Sequence, residues 1–366
     1  MHRWLGLLAC AVLFLVALSG SAQVYWREID AWLNPALYRA SPGPDLGAAA
    51  AIRAAEAVSD DPIFLVRAPD ATWPVWVVSH AVETPYGLDT WTTHVDPATG
   101  AVLGRRDYGR SLMHTILELH YTLLLRDWWG MELVGIVGLS MLASVGSGLW
   151  LWWPREGWRH AFRFALRPRG RMWWDLHRVT GAVAALVLAM VAYSGVALIF
   201  PKVAALPLAP VSETTPLRPP KVPDRDEPYA VDADTAMRAA EAALPGYRTW
   251  FLLPPEPPVH SWRISLKALD ADTASGARNI LWVDAWDGRV VGARTHATMG
   301  TADRWITAQI SLHGGGYFGP VGRAVVCLSG LTLALLCVSG PVLYARRLRA
   351  RRAAARRVGS FAQASS

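Results

Sequence analysis

Four stretches of this chain are long enough and apolar enough to cross a membrane, and they constrain the fold more than anything else in it. Residues 4–26 carry no charge, 131–153 carry only Glu132, 173–200 carry Asp175, His177 and Arg178 at their start and are then apolar, and 321–344 carry only Arg323. A hydrocarbon core of about 30 Å is crossed by roughly 20 helical residues. In lipid, only a helix or a closed barrel satisfies its own backbone. The chain also holds 19 Trp in 366 residues, and Trp favours membrane–water interfaces. The net charge of +7 does not require a nucleic-acid partner, because 13 of the 36 Lys and Arg fall in residues 154–172 and 346–357, beside apolar spans. Positive-inside topology then puts both basic segments and the N-terminus in the cytoplasm, with residues 27–130 and 201–320 outside. The alternative for the first span is a cleaved signal peptide, with residues 5–18 as its apolar core and Gly20-Ser21-Ala22 as the cleavage site.

A tandem repeat favours an uncleaved helix. His2-Arg3, Gly6 and Ser19-Gly20 recur as His177-Arg178, Gly181 and Ser194-Gly195. Val95-Asp96, Gly100, Val102 and Gly104 recur as Val283-Asp284, Gly288, Val290 and Gly292. Leu119-His120 recurs as Leu312-His313, Gly138-Leu139 as Gly330-Leu331, and Ser147-Gly148 as Ser339-Gly340. Each half therefore reads as helix, external domain, histidine segment, helix. A signal peptide would have no reason to match an internal span.

Each external domain is predicted to be small and α+β. Residues 45–58 and 232–244 are Ala-rich and helical in propensity. Alternating strand-like runs follow, ending in a strand–turn–strand around Gly100 or Gly288, where glycine supplies the positive φ of a tight turn. Residues 201–228 contain eight Pro and read as an extended linker, and the tail beyond about Arg352 is expected to lack structure.

Of ten histidines the repeat singles out His2, His120, His177 and His313. An ionisable ring at a membrane helix is a functional candidate. His2 and His177 fall at the cytoplasmic ends of the first and third spans, and His120 and His313 lie just before the second and fourth on the outer side. Two such pairs suit two bis-His b-type haems, since neutral imidazole is an axial iron ligand. Gly6 and Gly181 follow the inner histidines by four residues, and Gly20 and Gly195 by five whole turns, so a flat macrocycle could lie against bare backbone on that face. Arg3 and Arg178 could meet haem propionates or simply anchor the helix ends. The competing reading of these positions is small-residue helix packing with histidine as an interfacial anchor. His80, His94, His260 and His296 read as ordinary sheet or surface residues, and His114 as an alternate ligand off the face of His120.

Taken in order, "HRWLGLL", "ELHYTLLL", "GLWLWWPR", "DLHRVTG", "LHGGGYFG" and the Val-Asp-x-x-x-Gly-x-Val-x-Gly turns resemble the PepSY-associated transmembrane family, also called iron-regulated membrane proteins, over about residues 2–347. Only Met1 precedes His2 here, where that family has further residues. The resemblance implies an inner-membrane ferric-siderophore reductase with two b haems ligated by His2, His120, His177 and His313. It would pass electrons from the cytoplasm to a periplasmic ferric chelate. The expected fold is an all-α four-helix membrane bundle in tandem repeat, with two small α+β PepSY-like periplasmic domains. The expected partition is a first span at 1–27, a PepSY-like domain at 28–110, an interfacial helix and break at 111–130, and a second span at 131–153. A cytoplasmic Arg-rich loop follows at 154–172, a third span at 173–200, a Pro-rich linker at 201–228 and a second PepSY-like domain at 229–300. A second interfacial helix with a Gly-rich break covers 301–320, the fourth span 321–345 and a cytoplasmic basic tail 346–366.

The expected partners are the lipid bilayer, a ferric siderophore, and a separate cytoplasmic reductase or quinol as donor, because no Gly-x-Gly-x-x-Gly follows a predicted strand. The three cysteines, Cys10, Cys327 and Cys337, lie in apolar runs without a Cys-x-x-Cys, which excludes a disulfide framework, thiolate zinc, iron–sulfur and c-type haem sites. The rival function is a membrane-anchored PepSY module that regulates periplasmic peptidases without redox activity. A metal transporter would want acidic residues or broken helices at mid-membrane, and a hydrolase would want a Gly-x-Ser-x-Gly elbow; the chain shows neither.

Overall fold

The computed structural model describes residues 2–84, 87–154, 157–162, 171–210, 212–215, 217–269 and 279–364. In chain order the helices are α1 (His2–Gln23), α2 (Trp26–Leu33), α3 (Ala48–Glu56), α4 (Leu112–Thr122), α5 (Gly130–Trp152), α6 (Trp158–Ala161), α7 (Met172–Ile199), α8 (Pro201–Ala205), α9 (Ala233–Ala243), α10 (Thr301–His313) and α11 (Gly319–Ala364). The strands are β1 (Ile63–Arg67), β2 (Trp76–Thr84), β3 (Gly87–Val95), β4 (Val102–Asp107), β5 (Tyr247–Leu253), β6 (Ser261–Ala268), β7 (Asn279–Asp284) and β8 (Val290–Arg294). The chain divides into two compact units, Met1–Val24 with Leu117–Phe200 and Arg323–Ser366, and Tyr25–Ile116 with Pro201–Gly322.

The first unit is helical. Four helices, α1, α5, α7 and the span within α11, are long and apolar enough to cross a membrane. They are apolar on all sides, as a membrane bundle requires. Inward, Ala9, Leu13, Val137, Met141, Leu188 and Ala192 form the core, with Leu333, Leu336 and Cys337 packed against it. Outward, Leu8 and Leu186 are each 82% exposed, as suits lipid-facing positions on spanning helices. Small residues let the helices approach: Gly135 faces Phe200, Gly138 faces Val196, and Gly330 packs on Ser21 and the Ala17 carbonyl. The charge of Arg323 is spent at the end of α1, where its guanidinium donates to the Val24 carbonyl at 2.7 Å. The tail differs from expectation. Ala and Arg are strong helix formers, and α11 runs on through it to Ala364. Residues 163–170 of the Arg-rich loop lie outside the described residues.

The second unit corrects the expectation of two separate small α+β domains. All eight strands form one antiparallel sheet in the order β4-β3-β2-β1-β5-β6-β7-β8. Each half is a helix followed by a four-stranded meander. The two halves join where β1 pairs with β5, Val66 opposite Leu252 and Arg67 opposite Phe251. α3 and α9 cover one face, and a single apolar core runs under both, from Val66, Trp76 and Val78 to Leu252, Ile264 and Val283. Polar contacts also cross the join. Asp234, in α9, accepts from the Ala48 and Ala49 amides at 2.7 and 3.2 Å, capping the N-terminus of α3. Asp70, which follows β1, is ion-paired to Arg27 at 2.8 Å and to Lys267 of β6 at 3.5 Å, all three buried. The Pro-rich stretch is not extended throughout, because it opens with α8 and a following turn.

Candidate functional site

The helical unit brings His2 and His177 together. Both stand near the start of their helices, α1 and α7, and their ring centroids are 6.3 Å apart with planes at 73°. Each ring rests on the helix that follows its own span. His2 donates from Nδ1 to the Ser144 carbonyl at 2.9 Å and faces Ser147 Oγ at 3.2 Å. His177 Nδ1 meets Ser339 Oγ at 2.8 Å. The glycine after each serine leaves room for the ring. A Cβ on Gly148 would stand 3.1 Å from His2 Cε1, and one on Gly340 would stand 3.7 Å from His177 Cε1.

His120, on α4, repeats the device against α1. Its Nδ1 donates to the Val16 carbonyl at 2.9 Å and lies 3.4 Å from Ser19 Oγ. A Cβ on Gly20 would come within 2.6 Å of His120 Cε1, so this position admits the ring only as glycine. The loop after α4 turns tightly. Leu123, Leu124 and Trp129 all adopt positive φ, between 55° and 60°, a conformation that non-glycine residues rarely take. Arg126 pairs with Glu118, whose carboxyl burial pushes up but whose contacts with Arg126, Tyr121 and Thr122 hold it below the usual range. Gly130 closes the loop, where a Cβ would strike the Thr122 and Leu125 carbonyls.

Carbonyl partners fix two of the tautomers. A carbonyl can only accept, so His2 and His120 must carry their proton on Nδ1. Ser339 Oγ also lies 3.2 Å from the Leu336 carbonyl, and with its hydroxyl proton given to that carbonyl it accepts from His177 Nδ1. All three rings then carry their lone pair on Nε2, the pattern of a metal-ligating histidine whose other nitrogen is held by an acceptor. Two imidazoles that share one metal, with bonds near 2.0 Å, stand with centres about 6 Å apart. The 6.3 Å spacing of His2 and His177 matches that of two imidazoles bound on opposite sides of one metal ion, such as the iron of a flat macrocycle. The described residues contain no cluster of three or more His, Cys, Asp or Glu that could bind a metal in another way.

The other sequence-predicted residues fall as follows. His313 closes α10, in the second unit. A Cβ on Gly6 would meet open space and one on Gly181 would meet Leu336, whereas Gly20 accommodates the His120 ring. Gly195 follows Ser194 on α7. Arg3 stacks over Trp4 and Tyr344, with its guanidinium 4.6 Å from the Trp4 ring centre. Arg178 donates to the Ala161 carbonyl at 2.8 Å and to Asp175. His80, His94 and His260 have partners within the second unit. His80 bonds the Asp61 carbonyl and Thr93, and His260 bonds Tyr229. His94 is enclosed by Tyr38 and Thr92, where burial, reinforced by Arg106, pushes its pKa down to about 3. The acceptors Ser144, Ser147 and Ser339 were missed as site residues. For Ser147 and Ser339 the signal is the Ser-Gly step, which reads at first only as a mark of the repeat at 19, 147, 194 and 339 and also occurs at 275 and 329.

Four apolar helices carrying a matched pair of histidines, together with an eight-stranded sheet duplicated about its centre, define a duplicated four-span membrane protein. The family model described as PepSY-associated TM region matches residues 1–347. The chain belongs to that family. No curated protein matches it.

Proposed function

We propose that the protein is a di-haem b electron conduit of the bacterial inner membrane that reduces a ferric siderophore outside the cytoplasm. The observation that carries this reading is the His2–His177 pair, two imidazoles 6.3 Å apart, each with Nδ1 engaged by an acceptor on a neighbouring helix. In the proposed topology both termini are cytoplasmic and the duplicated sheet is periplasmic, its two halves being PepSY-like. His2 and His177 would hold the inner haem; the sequence repeat assigns the outer one to His120 and His313.

Such a haem supplies a one-electron Fe3+/Fe2+ couple. The chain's own groups prepare the site. The Ser144 carbonyl and Ser339 hydroxyl keep both Nε2 lone pairs available. Ala9, Leu13, Leu188 and Ala192 keep the interior of the bundle dry. The electron donor is a separate cytoplasmic reductase or quinol. At the acceptor, one electron converts Fe3+ to Fe2+, which the hard oxygen ligands of a siderophore hold far less well, so the metal is released.

The test is an absorption spectrum of the detergent-purified protein, oxidised and reduced, with a haem-to-protein ratio. Two low-spin b haems per chain are expected, one lost in His2→Ala and in His177→Ala, the other in His120→Ala. Reoxidation of the reduced protein by a ferric siderophore completes the assignment. A colourless protein from haem-replete cells overturns it, and the search then turns to a periplasmic peptidase as partner.

A further inference from the structure

We propose that Ser339 is a positioning residue for the inner haem, and that the two inner ligands are held unequally by design. The inference rests on the haem reading above and adds to it a residue that acts through His177. Three histidines sit on Ser-Gly steps in the same manner: His2 on Ser147-Gly148, His177 on Ser339-Gly340 and His120 on Ser19-Gly20. In two of them the principal acceptor is a backbone carbonyl, from Ser144 or Val16, at 2.9 Å, and the hydroxyl lies farther off at 3.2 or 3.4 Å. His177 differs. Its Nδ1 is held by the Ser339 hydroxyl at 2.8 Å.

The difference has a chemical consequence. An acceptor on Nδ1–H gives the ring partial imidazolate character, strengthens Nε2 as a donor and favours Fe3+ over Fe2+. It also fixes the rotation of the ring about its own axis. For His2 and His120 the acceptor belongs to the main chain and survives any side-chain change. For His177 both effects depend on one hydroxyl, which is oriented by its own bond to the Leu336 carbonyl at 3.2 Å. Gly340 supplies the space but no hydrogen bond.

The experiment compares Ser339→Ala, Ser339→Thr and Ser147→Ala in the full chain by haem content, electron paramagnetic resonance of the oxidised haems and redox titration. In Ser339→Ala, both haems are expected to remain bound, one low-spin signal to change its g values, and one midpoint potential to move positive. Ser339→Thr, which keeps the hydroxyl, restores both readouts. Ser147→Ala shifts them less than Ser339→Ala does, because His2 keeps the Ser144 carbonyl. If Ser339→Ala retains the wild-type signals and potentials, or if Ser147→Ala shifts them as far, the inference fails while the conduit stands. A wild-type protein without haem removes the conduit and this inference together.

Discussion

At the residue scale, the three glycines that seat histidine rings differ in clearance, and the differences order their mutants. An added methyl would stand 2.6 Å from the His120 ring at Gly20, 3.1 Å from His2 at Gly148, and 3.7 Å from His177 at Gly340. The first is a collision, the second tight and the third ordinary contact. On the proposed haem reading, Gly20→Ala should therefore lose most of the haem assigned to His120. Gly148→Ala should lower occupancy at the inner site only in part, and Gly340→Ala should be silent. The haem-to-protein ratio of the three purified variants checks the order. The histidines themselves were legible in the sequence, because each stands in a repeat-matched place. Their acceptors were not. A hydrogen bond between α7 and α11 depends on which spans are neighbours, and hydropathy does not encode that. Gly20 illustrates the limit, since five whole turns put it on the face of His2, yet the bare backbone there receives a different histidine, His120.

Among the elements, the join between the two halves carries the most consequence, and Asp234 is one contact that crosses it. Its carboxylate caps a helix of the other half, satisfying the Ala48 and Ala49 amides. Asp234→Ala should cost about 1 kcal/mol of stability, the usual worth of an N-terminal cap. Asp232→Ala removes the cap that α9 makes for itself through Thr235 and should cost a similar amount. Only the first should increase amide exchange in α3, so hydrogen exchange on the two variants separates a contact across the join from a local one. Both Ala-rich helices and the paired turns at Gly100 and Gly288 were readable from propensity and repeat. The continuous sheet was not. Strand pairing is set by long-range contact, and β1 and β5 each look like an acceptable edge when its half is read alone. Asp70 explains part of what commits them, because its buried partners Arg27 and Lys267 come from opposite halves.

For the molecule as a whole, acid should loosen the sheet unit before the carboxylates titrate. His94 is buried neutral with its pKa lowered to about 3, whereas in the unfolded chain it takes a proton near 6.5. Between those values the unfolded state binds more protons. Stability is therefore complete above about pH 6.5 and falls as the pH drops toward 3, by up to about 1.4 kcal/mol per unit. Thermal unfolding followed from pH 7 to 4.5 should show this slope, and His94→Asn should flatten it. The four spans, their order and the family were legible because lipid imposes a long, simple signature. The fusion of the two halves has a historical consequence. Equivalent strands, β1 and β5, meet antiparallel at the centre of a symmetric strand order, which is the arrangement of an isologous two-fold interface. A chain of half this length, pairing its first strand with that of a second copy, would build the same sheet as a homodimer. Duplication then freed the two copies to diverge. Asp234 stands second in α9 where Ala49 stands second in α3, so the cap runs in one direction only, a contact that no symmetric pair could have made once without making it twice.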